Sequence, residues 1–303
     1  MQAKLLDRIP HFLADVSGTY LLPLCCIFLP WPIAFKMLRG FSRCRILFRE
    51  AANTAWRESR RFGGVLDERN WKQRFRLLRM VDQVDIYLPL VRSERWRRKY
   101  IVQSGTWPQP GTACVFLTYH WGAGNWVWSI LREQRLSAHF LARRPRGRPL
   151  GTTLLSHWYG VFRVWGLRRI GSLGVILTGG SANVIAGALR AGESVVGMLD
   201  LAATEQQQVL KFPLLDDVLR LPVGLARLAI ETSSRIVIFS FGLNFDSGQR
   251  NIKIETLPAG ITLEAATRCY VAHLDLRLRE SPESWHMWHE APMMFVSQNF
   301  DQK

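Results

Sequence analysis

Short apolar runs alternate with helical stretches from residue 111 onward, and this alternation most constrains the fold. The runs are rich in β-branched and aromatic residues and end at glycine or polar turns, as strands do. Between them, apolar residues recur at spacings of three and four, which is typical of amphipathic helices. The pattern predicts an α/β fold, a mixed sheet flanked by helices, with strands in the segments 113–120, 138–144, 173–177, 194–200, 235–245 and 251–257.

The residues ahead of this alternation divide into two further regions. Residues 1–50 carry an uncharged segment and its basic flank, and residues 51–110 are predicted to be basic helices. Because no linker follows residue 111, residues 111–303 are expected to form one α/β domain.

The uncharged segment runs from Gly18 to Phe35 and is close to the shortest length that spans a bilayer. Three prolines interrupt it, so a kinked span, a membrane-associated helical segment lying in the membrane plane and a hairpin buried in a soluble domain are all consistent with it. Two acidic residues ahead of it, Asp7 and Asp15, disfavour a cleaved signal peptide. Only basic charges follow it before Glu50, which by the positive-inside tendency predicts that the rest of the chain faces the cytoplasm.

The excess positive charge lies in the first half of the chain. The sequence has 40 Lys and Arg against 24 Asp and Glu, a formal net charge of +16. Residues 151–303 are balanced, so an acidic partner is expected to meet the first half. No nucleic-acid-binding motif accompanies the charge, which favours an anionic lipid surface or an acidic protein over nucleic acid.

Metal and disulfide chemistry have little support in the sequence. Its five cysteines are an odd number and include no C-x-x-C pair. His286, His289 and Glu290 lack a further well-spaced ligand, so neither a metal site nor a cofactor is expected.

The clearest candidate for chemistry is His120, at the end of the first strand predicted after residue 111. Gly122 and Gly124 follow it and lead into a helix, and α/β folds place ligands at such a position. Glycines let the backbone approach a ligand closely, and a helix N-terminus offers free N–H groups to an anion. Because imidazole titrates near neutrality, we predict that His120 is a general base rather than a structural histidine.

Two further segments are candidate anion-binding sites. The first is a basic run after the second predicted strand: Arg143, Arg144, Arg146 and Arg148. It is expected to engage phosphate or the acidic face of a carrier protein, with a solvated loop as the alternative. The second is a glycine turn between a strand and a helix: Gly179, Gly180 and Ser181. This turn either cradles an anion or is an ordinary turn with its serine as the helix N-cap.

These motifs together resemble the lysophospholipid acyltransferase superfamily, and within it the branch that adds late acyl chains to lipid A. That branch has His-x-Gly-Asn-Trp-Glu after a strand, to which residues 120–126 are similar. Residues 179–200 resemble its helix, loop and strand ahead of an Asp, here Asp200. The tail SPESWHMWHEAP resembles its closing Pro-x-x-Tyr-x-Trp-x-His, so the resemblance covers most of the chain.

One departure from the superfamily concerns the acid that supports the histidine. Five positions after His120 the superfamily has Asp or Glu, whereas this chain has Asn125, and allowing one extra residue places Val127 there. An Asn can accept a hydrogen bond from imidazole Nδ1–H, but it does not supply the charge that stabilises imidazolium. Asp200 and Glu205 are the residues that can substitute through space.

The resemblance implies a membrane-bound acyltransferase of the bacterial inner membrane whose catalytic domain faces the cytoplasm. His120, assisted by Asn125, is expected to deprotonate a lipid or glycolipid acceptor that attacks an acyl thioester of acyl carrier protein or coenzyme A. Gly122, Gly124 and Asp200 are expected to bind substrate. The alternative is a catalytically impaired relative that acts as a lipid-binding or scaffold protein. The oligomeric state does not follow from the sequence.

Overall fold

The computed structural model describes residues 16–63, 67–142, 154–205 and 207–296. Within them, the predicted alternation forms a mixed seven-stranded sheet, with a separate two-stranded hairpin. The α/β prediction is therefore confirmed. The basic run Arg143, Arg144, Arg146 and Arg148 lies outside the described residues.

The strands of the described residues are β1 Ile101–Ser104, β2 Cys114–Thr118, β3 Ala138–Ala142, β4 Ser172–Leu177, β5 Ser194–Met198, β6 Val209–Leu214, β7 Asp217–Pro222, β8 Arg235–Leu243 and β9 Arg250–Thr256. The large sheet has the order β1-β9-β8-β2-β5-β3-β4. Its neighbours are parallel except for β8 and β9, and β6 and β7 form the antiparallel hairpin.

The α-helices of the described residues are α1 Leu22–Phe28, α2 Trp31–Phe41, α3 Arg49–Ser59, α4 Glu68–Val91, α5 Glu94–Tyr100, α6 Val127–Glu133, α7 Leu154–Ile170, α8 Ala182–Arg190, α9 Gly224–Glu231, α10 Leu263–Glu280 and α11 Ala291–Met294. Short 3₁₀ turns precede α6 at Gly124–Trp126 and follow α10 at Pro282–Ser284.

The sheet is covered on both faces, as strand β2 illustrates. All five of its residues are buried, so it is a continuous apolar run rather than an alternating one. Val115 and Leu117 belong to the core cluster that contains residues of α9 and α10. Cys114 and Phe116 belong to the opposite cluster, which contains residues of α2 and α4. The loops at the carboxyl end of β2 therefore emerge between two packed helical layers.

The uncharged N-terminal segment forms short helices. A π-helical turn, Ser17–Leu21, leads into α1, and the chain leaves helical geometry at Leu29 and Pro30 before α2 begins. One face of α2 is buried, and the Trp31 indole N–H donates to a backbone carbonyl at 3.0 Å. No helix of the described residues combines the length and the apolar character that a bilayer crossing requires.

Region 51–110 contains one element that the sequence does not predict. It ends in strand β1, which pairs in parallel with β9 at the edge of the sheet. Only the first of the four residues of β1 is buried. So short a segment has too little apolar pattern for the sequence to distinguish a strand from the end of the preceding helix.

Candidate active site

The register of two neighbouring strands brings His120 and Asp200 together. Strands β2 and β5 run in parallel, with Thr118 opposite Met198. His120 and Asp200 each lie two residues beyond this pair, so both leave the sheet at its carboxyl edge.

Asp200 is a fully buried carboxylate that contacts three nitrogen donors. Its Oδ1 lies 3.0 Å from Nδ1 of His120. Its Oδ2 accepts the backbone N–H of His120 at 2.8 Å and the indole N–H of Trp285 at 2.9 Å. Asp200 was expected to bind substrate, and that stays a prediction; in this structure its fully buried carboxylate bonds to His120 and Trp285.

His120 itself is reachable from solvent. Its side chain is 29% exposed. Because Nδ1–H donates to Asp200, the lone pair of the neutral ring lies on Nε2. Within the described ranges, no group forms a hydrogen bond with Nε2. The ring is thus oriented by a carboxylate on one nitrogen and open on the other, which is the geometry of a general base.

Asn125 does not take the position at Nδ1 that the motif spacing assigns to it. It lies in the 3₁₀ turn after β2 and is 7% exposed. Its Nδ2 has no hydrogen-bond partner among the described residues. Leaving a buried donor unpaired costs about 1–3 kcal/mol, so this amide is a candidate donor to a bound molecule.

Gly122 and Gly124 have different surroundings. Gly122 has a φ of +78°, and a Cβ there would lie 1.5 Å from the carbonyl oxygen of Phe241. Its N–H donates to the carbonyl of Ser284 at 2.9 Å, so it is not free to bind a substrate. At Gly124 a Cβ would meet no atom within 4 Å. Of these two glycines, only Gly124 adjoins open space.

The C-terminal tail SPESWHMWHEAP packs on the turn that follows β2. Trp285 forms an antiparallel bridge with Trp121. The backbone N–H of His286 donates to the carbonyl of His120 at 2.7 Å. Trp285 and His286 were not predicted as site residues, and the family-like pattern of the tail was the signal that could have identified them.

His286 is held as a neutral imidazole. Its Nε2–H donates to the carbonyl of Gly122 at 2.7 Å, and its Nδ1 accepts from the guanidinium of Arg79 at 3.1 Å. Burial lowers the pKa of His286 to about 4, and the positive charge of Arg79 acts in the same direction. Both ring nitrogens are occupied, so His286 supports the turn rather than reacting.

Tyr270 of α10 joins the ends of the two strands. Its hydroxyl donates to the carbonyl of Thr118 at 2.9 Å and accepts the N–H of Leu199 at 3.3 Å. The phenol is fully buried, and burial raises its pKa well above the ordinary value. Tyr270 therefore fixes the spacing between the segments that carry His120 and Asp200.

The glycine turn predicted as an anion site lies elsewhere on the sheet edge. Gly179, Gly180 and Ser181 follow β4, which β5 and β3 separate from β2. Three strand spacings amount to roughly 14 Å. Ser181 precedes α8 but makes no side-chain capping bond. The structure therefore does not bring this turn together with His120.

One cavity of the described residues lies away from His120. It has a volume of about 600 Å³, and its lining includes Trp71, Arg74, Glu283 and Trp288 but not His120. The candidate site is therefore assigned from the chemistry of His120 and Asp200 and not from the size of a cavity.

No group of three or more His, Cys, Asp or Glu side chains in the described ranges is arranged to hold a metal ion. His289, which the sequence places near His286 and Glu290, is exposed and bonds through Nδ1 to a backbone carbonyl.

Neither a protein-family model nor a curated protein matches this chain. The candidate site therefore depends on the geometry of its own residues.

Proposed function

We propose that this chain is an acyltransferase that moves a fatty acyl chain from an acyl carrier protein or coenzyme A thioester to a lipid or glycolipid acceptor. The observation that carries the proposal is a buried carboxylate, Asp200, 3.0 Å from Nδ1 of the partly exposed His120. Asp200 supplies the negative charge that Asn125 lacks, which favours an active enzyme over a catalytically impaired relative.

In the proposed reaction His120 is the general base. Its Nε2 accepts the proton of the acceptor hydroxyl or amine while that oxygen or nitrogen attacks the thioester carbonyl. The C–S bond then breaks as the tetrahedral intermediate collapses, and the imidazolium returns the proton to the leaving thiolate. Asp200 stabilises the imidazolium between these steps, and Trp285 holds the carboxylate in place.

Asn125 is the proposed donor to the negative oxygen of that intermediate. Its amide is buried and its Nδ2 has no partner within the described residues. The N–H of Gly122 is already bonded to Ser284, so it cannot serve. A side-chain amide in such a position contributes a factor of about 10²–10³ to kcat.

The proposed location is the cytoplasmic face of the bacterial inner membrane, reached through α1 and α2 lying in the membrane plane. Apolar side chains on these helices face solvent: Phe28 is 84% exposed and Ile33 56% exposed. Lys36 and Arg39 follow on α2, and a helix that combines apolar and basic side chains binds anionic lipid surfaces. Membrane lipid and acyl carrier protein are the proposed partners.

Acyl transfer by the purified full-length chain tests this function. Acyl carrier protein and coenzyme A thioesters are offered as donors with membrane lipid extract as the acceptor, and products are identified by mass spectrometry. Wild-type protein is expected to form acylated lipid, and His120→Ala is expected to lose about 10²–10⁴-fold in rate. His289→Ala, which removes an exposed imidazole, is the matched control and is expected to keep the wild-type rate.

The same assay separates an enzyme from a scaffold protein. If neither the wild-type protein nor His120→Ala forms acylated lipid while both bind vesicles, the proposed activity is wrong and the scaffold alternative stands. Lipid profiles of cells with and without the gene then provide an independent check.

A further inference from the structure

A second cavity, lined by basic side chains, lies in the N-terminal helical region. It has a volume of about 360 Å³, near the lower end of the range for small-ligand sites. Its lining comes from the connection ahead of α3, from α3 and from the first turns of α4. Six basic residues line it against one acid, Glu68: Arg43, Arg45, Arg49, Arg69, Lys72 and Arg76.

Arg76 is the most deeply buried of these residues, with 6% exposure. Its Nε donates to the carbonyl of Leu47 at 3.1 Å, and an Nη donates to the carbonyl of Ser42 at 3.4 Å. No carboxylate of the described residues forms an ion pair with it, in contrast to the buried Arg250, whose guanidinium is paired with Asp85. Among the described residues, Arg76 is thus a buried cation without a counter-ion.

The other charged residues of the cavity do not neutralise its excess positive charge. Glu68 is bonded to Lys72 at 2.5 Å, and Lys72 also donates to Asn53 at 2.6 Å. None of the five arginines forms an ion pair with a carboxylate of the described residues. Like charges held in a concave site repel one another and focus the electrostatic potential, so the cavity attracts anions.

We propose that this cavity binds a phosphate group. Phosphate carries up to two charges and several acceptor oxygens, and several arginine forks around it can each bond in a planar, bidentate manner. A single carboxylate would leave most of these donors unpaired. Burial is the main cause that lowers the pKa of Arg76, as expected for a guanidinium without a carboxylate partner among the described residues.

A phospholipid headgroup and a soluble phosphate compound share this chemistry. Phe41 and Ile46, two residues before Arg43 and one after Arg45 in the chain, are exposed apolar side chains of the same segment. The cavity shares no residue with the pair His120 and Asp200. If the cavity fails to bind phosphate, the proposed acyl transfer is not contradicted. If acyl transfer is not found, the phosphate site is not contradicted either.

Binding of the full-length chain to vesicles tests the site. The test variant is Arg45→Gln/Arg69→Gln, and the control is Arg190→Gln/Arg220→Gln, which removes the same charge from exposed arginines outside the cavity. Phosphatidylcholine vesicles with and without phosphatidic acid are compared at one ionic strength. The test variant is expected to lose about tenfold or more in affinity for phosphatidic acid vesicles, and the control much less.

Calorimetry of the detergent-solubilised chain with inorganic pyrophosphate distinguishes the source of the phosphate. Pyrophosphate binding that the test variant loses indicates a soluble phosphate ligand, whereas a loss confined to vesicles indicates a lipid headgroup. Either result supports the site. Equal losses in the two double variants, or no loss in the test variant, would overturn it, because diffuse surface charge would then explain the binding.

Discussion

The carboxylate of Asp200 lies 3.0 Å from Nδ1 of His120, although 80 positions separate the two residues in the chain. Asp200 comes from just beyond the end of a neighbouring strand, β5, rather than from the turn that carries His120. The register of β2 and β5, with Thr118 opposite Met198, brings the two residues to the same edge of the sheet.

Removing the charge of Asp200 tests its support of the base. Asp200→Asn keeps the size of the side chain but removes the charge that stabilises imidazolium, so kcat for acyl transfer is expected to fall by about 10²–10⁴-fold. Asp216→Asn, at an exposed carboxylate, is the control and should match wild type. A wild-type rate in Asp200→Asn would show that the contact has no part in the chemistry.

Asn125→Asp restores the His-x4-Asp spacing of the acyltransferase motif. We nevertheless expect this variant to lose stability rather than to gain activity. Nδ1 of His120 is already bonded to Asp200, so the new carboxylate would be buried without a cationic partner. We expect a loss of stability of about 3–5 kcal/mol at neutral pH that diminishes in acid as the carboxyl becomes protonated. Thermal unfolding of Asn125→Asp at two pH values, with Asn125→Ala for comparison, measures this. Faster transfer at unchanged stability would instead place position 125 beside the imidazole.

The two glycines of the turn offer a matched pair of substitutions. Gly122→Ala would force a Cβ to 1.5 Å from the Phe241 carbonyl oxygen at a φ of +78°, so its free energy of unfolding should fall by more than about 2 kcal/mol. Gly124→Ala meets no atom within 4 Å and should fold normally. Melting temperatures of the two variants check the prediction, and equal values would contradict it.

Folding lowers the pKa of His286 from 6.5 to about 4, which has a consequence for stability in acid. Between these values the unfolded chain binds a proton that the folded chain does not. The free energy of unfolding should therefore fall as the pH drops from 6.5 toward 4, by up to about 1.4 kcal/mol per pH unit. His286→Gln should have a shallower slope in denaturant unfolding across this range, and exposed His289→Gln should not. Some slope remains in His286→Gln because burial also lowers the pKa of His273 to about 4.

Exposed apolar side chains of the N-terminal helices should determine membrane attachment. Phe28→Asp places a charge at a side chain that is 84% exposed, so folding should be unaffected while vesicle binding decreases. Val184→Asp, at a position 60% exposed on α8, is the control. Co-sedimentation with vesicles measures both variants, and equal binding by the two would remove the proposed in-plane contact.

Local sequence pattern predicted six of the strands, but not β1, β6 and β7, and it did not predict which strands are neighbours. The runs that contain β2 and β5 were recognisable because buried parallel strands are continuous apolar segments. The sequence pattern did not show that β2 and β5 are neighbours, because strand order depends on packing across the whole sheet. For that reason motif spacing assigned the partner of His120 to Asn125, whereas the pairing of β2 with β5 supplies Asp200. The part played by Trp285 was hidden for the same reason, because its contact spans 85 positions.

The place of β5 between β2 and β3 also determines when His120 meets the carboxylate of Asp200 during folding. Strands β3 and β4 are made before β5 in the chain, yet β5 must insert between β2 and β3 to bring Asp200 to His120. Such non-local pairings form slowly compared with helices. Recovery of the proposed acyl transfer on refolding should therefore lag behind recovery of the helical circular dichroism signal. A chain that has regained its helices but not the β2–β5 pairing has its histidine and no acid to orient it.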